Sequence, residues 1–202
     1  MIFLVKRFYI IIILILLQGM NSCADGWELV KDKNSIKIYT RQTEGSSFKT
    51  YKGEATLKIG IQQLYDILID VDHYDQWVYE CSESRLLSKV ENSEYTYYSI
   101  MRMPFPFENR EMTTRMKVSF SNDTIRLSTR LINGTQTKKK GLVGMTAYDE
   151  VTTLIKAGDE NVRMVMEGYF EPGGTLPAWL VNLFLSAGPY ESLMSIKKLY
   201  EK

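Results

Sequence analysis

The sequence predicts an α+β domain, a large antiparallel sheet with helices covering one of its faces. Three observations carry that prediction. Between residues 80 and 170 hydrophobic residues recur mostly at every second position, in segments separated by turn signals at Glu91-Asn-Ser, Pro104-Phe-Pro, Ser121-Asn-Asp and Ala157-Gly-Asp. Ahead of that run, Ile61, Leu64, Tyr65, Leu68 and Ile69 stand at helical spacing. Behind it, a helical stripe from Pro177 includes Trp179, Leu180, Leu183, Phe184, Leu193, Ile196 and Tyr200. No repeat or linker marks a second domain.

Residues 1–24 read as a secretory signal peptide. Lys6 and Arg7 precede ten apolar residues from Phe8 to Leu17, too few to span a bilayer as a helix but enough for the core of such a signal. Small residues at Ser22-Cys23-Ala24 offer a cleavage point before Asp25. Cys23 also stands where a lipoprotein signal would end, although Met20 is a poor match three residues earlier; an uncleaved anchor is a third reading. The expected mature domain is residues 25–202, placed in the periplasm or secreted, with a membrane-anchored lipoprotein as the alternative. Cys81 has no obvious partner, so no disulfide framework is expected.

Residues 27–33 read as a short helical or irregular segment with Trp27 as a packing anchor. Residues 36–41 and 48–57 alternate and form a hairpin across Gly45-Ser-Ser. Residues 60–70 form the first helix, and residues 71–77 a further turn with Asp72 as its candidate cap. Strands are expected at 80–90, 94–103, 110–120, 124–131, 144–157 and 161–171. The Lys138-Lys-Lys-Gly141 run reads as a solvated loop. Pro177 suits the first turn of the last helix, and Gly188-Pro189 should kink it or break it in two.

Alternation within two strands points methionines inward. Met112, Thr114, Met116, Val118 and Phe120 share one face, opposite Arg115 and Lys117. Val162, Met164, Met166, Gly168 and Phe170 oppose Arg163 and Glu167. Such faces build either a solid core or the wall of a cavity. The chain's 13 Tyr and 10 Met suit a wide, adaptable apolar surface. A formal charge of +1 calls for no nucleic-acid partner. His73, the single histidine, cannot make a usual zinc site, and no phosphate-binding or nucleophile motif occurs. Arg110 and Glu111 are neighbours on a strand and face opposite ways, so they cannot act together; Arg110 reads as a tie between the Pro-x-Pro turn and the sheet. No catalytic residue, metal or cofactor is expected.

Five marks in order resemble the StAR-related lipid-transfer (START) domain. They are Ile36-Lys-Ile-Tyr39 with Arg41, Tyr74-Asp-Gln-Trp77, Tyr97-Tyr98 before Pro104-Phe-Pro106, Asn109-Arg110-Glu111, and Gly173-Gly174 with Leu176-Pro177 and Trp179-Leu180. The resemblance covers residues 28–200. It implies the helix-grip fold, a curved antiparallel sheet wrapped around a long C-terminal α-helix, and a cavity holding one lipid or sterol-like molecule. It implies transient membrane contact, a monomer and no catalysis; a polyketide cyclase or aromatase on the same fold is the alternative. The expected lining is Tyr97, Ser99, Met112, Thr114, Met116, Met164, Met166, Leu180 and Phe184. The chain departs from the family where headgroups are read. Val78 stands where an Asp is common, and Tyr74, Ser99 and Met112 replace the Arg and two aromatics of choline-lipid relatives. Tyr97 and Met116 stand where sterol-type relatives place a buried acid and base.

Overall fold

The computed structural model describes residues 26–132 and 140–200. The expected signal peptide, Cys23 and Lys138-Lys139 lie outside the described residues. Strands are β1 (Glu28–Lys33), β2 (Ile36–Gln42), β3 (Lys49–Leu57), β4 (Cys81–Val90), β5 (Glu94–Met101), β6 (Asn109–Ser121), β7 (Thr124–Leu131), β8 (Leu142–Gly144), β9 (Ala147–Lys156) and β10 (Val162–Glu171). Helices are α1 (Ile61–Ile69), α2 (Ala178–Phe184) and α3 (Ala187–Tyr200), with a 3-10 segment at Val71–Gln76.

The strands form one open sheet in the order β1-β2-β3-β10-β9-β7-β6-β5-β4. All neighbours along that path are antiparallel, and only β8 runs parallel to its partner β6. The chain thus closes β10 onto β3, and helix α3 packs across β2 and β3. Gly53 makes that approach possible. A Cβ there would lie 3.1 Å from the Pro189 Cβ and 3.3 Å from Leu193 Cδ1. The α+β, helix-grip architecture expected from the sequence is the one observed.

One end of the enclosed side is a solid apolar core. The cross-strand row Ala55, Met164, Leu154 and Ile125 is almost wholly buried. Leu64, Tyr65 and Leu68 of α1 belong to the same cluster. Each such side chain contributes about 1.5–3 kcal/mol by leaving water, so this end anchors the sheet.

Six details correct the sequence reading. Residues 28–33 are strand β1, neither helical nor irregular, because the sheet extends one strand beyond β2. Trp27 is buried as expected, beneath the cations of Arg41 and Lys52. The stretch 144–157 is not one strand. Residues 142–144 follow β6, the Met145 N–H donates to the Glu111 carbonyl, and the chain then crosses to β9. Asp72 caps nothing; its Oδ1 accepts the Leu86 N–H at 2.7 Å. The C-terminal helix breaks at Leu185 and Ser186, while Gly188 and Pro189 sit in the first turn of α3, where proline is tolerated. Pro177 is the residue before α2 rather than its first. The stripe on α2 does not pack against the methionine face: Trp179, Leu183 and Phe184 are exposed.

Candidate functional site

The enclosed face changes character away from the apolar end. The next row still mixes Gly53, Met166, Thr152 and Leu127. The row beyond it runs Thr40, Tyr51, Gly168, Glu150, Thr129, Met116 and Tyr95, across seven strands. Hydroxyls and a carboxyl now outnumber aliphatic groups. Gly168 explains how the row holds together. A Cβ there would lie 2.3 Å from the Tyr51 ring, so the glycine lets that ring lie across β10. The Tyr51 hydroxyl thereby reaches β9 and donates to Glu150 Oε2.

Glu150 is the centre of the site. Thr152 donates its hydroxyl to Oε1 at 3.3 Å, and the Tyr148 hydroxyl lies close to both Tyr51 and Glu150. Burial raises the Glu150 carboxyl above the usual carboxylate range, only partly offset by these hydroxyls. No cation is among the groups acting on it. Burial and the nearby carboxyl raise the Tyr51 and Tyr148 hydroxyls well above their ordinary value, and burial pushes Tyr97 up to about 12. Tyr74 stacks edge-on to Tyr97 at 5.4 Å and donates to the Leu68 carbonyl at 2.6 Å.

One observation indicates accessible space beside this cluster. Tyr148 and Glu150 are dominated by burial, yet by surface area both are only half-buried, as expected of side chains bordering an internal void. Thr40 Oγ1, Tyr65 OH, Ser84 Oγ, Tyr95 OH, Ser99 Oγ and Thr114 Oγ1 are fully enclosed by protein atoms and make no hydrogen bond to another protein group. Thr114 lies near enough to Tyr97 to affect its hydroxyl, but the geometry does not make a bond. Buried hydroxyls are normally satisfied, so these closely packed ones are a polar strain within the wall. An open depression of about 250 Å³ between Thr50, Arg126, Asp149 and Glu167 lies on the opposite face of the sheet and does not reach the cluster.

The sequence-nominated residues divide into groups. Tyr97, Ser99, Met112, Thr114 and Met116 sit buried together on β5 and β6. Met166 lies one row from Glu150, whereas Met164 belongs to the apolar row with Leu154. Leu180 is half-buried, and Phe184, 57% exposed, does not line the interior. Sequence reasoning missed Glu150, Tyr51, Tyr148, Thr129 and Thr40. In β9, Tyr148, Glu150, Thr152 and Leu154 are in phase, but the equally apolar Val151 and Ile155 on the other face mask which side is inside.

Arg110 ties the site's rim. Its Nε donates to the Pro172 carbonyl at 2.9 Å, one terminal nitrogen to Gly173 at 3.2 Å and the other to Glu108. It is the single buried basic side chain among the described residues. Gly173 fits because its backbone is left-handed, φ 67°, and a Cβ would come within 2.5 Å of the Gly144 carbonyl.

No family model matches the chain. An uncharacterized protein of Pseudomonas aeruginosa is 26% identical over 183 residues, covering 90% of both chains. The phosphatidylcholine transfer protein of Mus musculus is 25% identical over 162 residues, 77% of this chain and 75% of that one. The crystal structure of a STAR-related lipid transfer protein fragment from Xanthomonas axonopodis superposes with a TM-score of 0.82 at 27% identity, covering 88% of this chain and all of that one. With the open sheet gripping α3, and Arg110 joining the Pro-x-Pro turn to the Gly-Gly loop, the chain is similar in sequence and fold to StAR-related lipid-transfer (START) domain proteins.

Proposed function

We propose that the protein binds one lipid in the space beside Tyr148 and Glu150 and carries it between membranes without chemical change. The observation that carries this reading is the half-buried Tyr148 and Glu150 beside the buried Met116 and Met166 on the inner wall of the sheet. Apolar burial would supply affinity at about 25 cal/mol per Å², reduced by the cost of association. The few polar groups would fix the orientation of the guest. The lipid transfer relatives support the same reading. The exposed Trp179, Leu183 and Phe184 on α2 suit transient contact with a bilayer. The N-terminal sequence supports an extracytoplasmic setting, free or anchored through Cys23.

Native mass spectrometry of protein purified from its own host tests the proposal. An intact, unmodified lipid bound one to one is the expected result. A protein with no bound lipid that also fails to move lipid between vesicles would refute it. Turnover of a polyketide would favour the cyclase alternative, for which the Tyr51–Glu150 pair is the available acid and base.

A further inference from the structure

We propose that the Tyr51–Glu150 pair is the polar anchor of the interior and selects a lipid whose polar end is an uncharged hydroxyl over one carrying a phosphodiester. The inference rests on the lipid-binding reading and sharpens it to a headgroup class.

The argument starts from charge. An anionic headgroup drawn out of water needs a cation or a dense set of donors. Among the described residues the one buried cation is Arg110, and its guanidinium is already occupied by the carbonyls of Glu108, Pro172 and Gly173. What the wall offers instead is a carboxyl. Beside it, a phosphodiester would place a negative charge in a site with no compensating cation. Hydrogen-bonding capacity points the same way. Tyr51 and Thr152 hold Glu150 from the sheet side, one at each oxygen. A carboxyl oxygen has room for a further bond. A lipid hydroxyl both donates and accepts, so it can donate to the carboxyl and accept from the Tyr148 hydroxyl beside it. A quaternary ammonium could pair with the carboxyl, but its phosphate would remain unmatched.

Vesicles of dioleoyl phosphatidylcholine doped with dioleoylglycerol test this, because the two lipids share their chains and differ in the head. The purified protein is incubated with them and re-isolated, and its bound lipids are quantified by mass spectrometry against the vesicle composition. Dioleoylglycerol should be enriched at least about tenfold, the ratio expected when one satisfied hydrogen bond and one avoided buried charge separate two guests. Glu150→Gln keeps one accepting oxygen and an uncharged polar group, and should keep the enrichment. Glu150→Leu should abolish it while still binding acyl chains. Phosphatidylcholine bound in proportion or in preference overturns this inference and leaves lipid binding standing. No bound lipid of either kind overturns both. Unchanged enrichment in Glu150→Leu, or its loss in Glu150→Gln, removes Glu150 as a neutral anchor. If Glu150→Leu does not unfold cooperatively, the wild-type ratio and Glu150→Gln decide.

Discussion

Glu150 is the residue the sequence hid best. Its strand alternates weakly: Leu154 is on the enclosed face, while Val151 and Ile155, equally apolar, are on the other. No one-sided pattern therefore marked which face was inside, and a glutamate in such a strand reads as solvent-facing. The methionines of β6 and β10 were legible because charged neighbours fixed their direction. Stability should report what the sequence concealed. Burial raises the folded-state pKa of Glu150 above its ordinary 4.5. The folded protein then holds this proton more tightly than the unfolded chain does. The group's contribution is full below that value and is lost as pH rises through the folded pKa. Tyr51, Tyr74, Tyr97 and Tyr148 face it and stay neutral across that window, their own values being raised. Glu150→Gln should therefore raise the thermal midpoint at neutral pH and change it little near about pH 4; calorimetry across that range checks the slope. Gly168→Ala should cost about 2 kcal/mol in chemical denaturation, because a methyl cannot share space with the Tyr51 ring.

At the scale of elements, long periodic segments were readable and short ones were not. Helix α1 and strands β2 to β7, β9 and β10 carry enough turns of pattern to declare themselves, though β9 begins later than expected. Strand β1 shows only Leu29 and Val30 as aliphatics, both exposed, so nothing in its composition asks for a sheet. Its pairing with β2 is tertiary information. Strand β8 has three residues and exists because Met145 and the Gly-Gly loop meet β6 there. The stripe on α2 was visible, but its direction was not: periodicity shows that a face is apolar, not what lies against it. Arg110 joins elements that the sequence separates by some sixty residues. Its removal should be felt at both ends. Arg110→Met should leave the carbonyls of Glu108, Pro172 and Gly173 without their donor and destabilise the domain by about 3 kcal/mol. Amide exchange should accelerate both at residues 105–108 and at 172–176; acceleration at only one would mean that the guanidinium does not couple them.

For the whole molecule, the question is how a guest passes a wall this well packed. The sheet is continuous from β3 through β10 to β5, and α3 is fastened by Pro189, Tyr190, Leu193 and Ile196, all buried. Helix α2 is different. Among its residues none is fully buried, and three large side chains face solvent. Its hold on the sheet includes one side chain: Asn182 accepts the Lys49 N–H at 2.9 Å and donates to the Ser47 carbonyl at 2.9 Å. A short helix with an exposed apolar face and so light a latch belongs to the low-stability end of the domain's local openings. The break at Leu185 and Ser186 separates it from α3, so it can swing without disturbing the core. Asn182→Ala should then speed lipid exchange between vesicles several-fold, with loss of global stability held to about 1 kcal/mol. The apolar face needs the opposite test. Trp179→Ser with Phe184→Ser should cost little stability, since the rings are 69% and 57% exposed, and should slow exchange if they seat on the bilayer as proposed. If both variants exchange lipid at the wild-type rate, the guest enters by another route. The loop at 102–108 would then be the next place to look, because Phe105 is 96% exposed at its tip and Arg110 links it to the same rim.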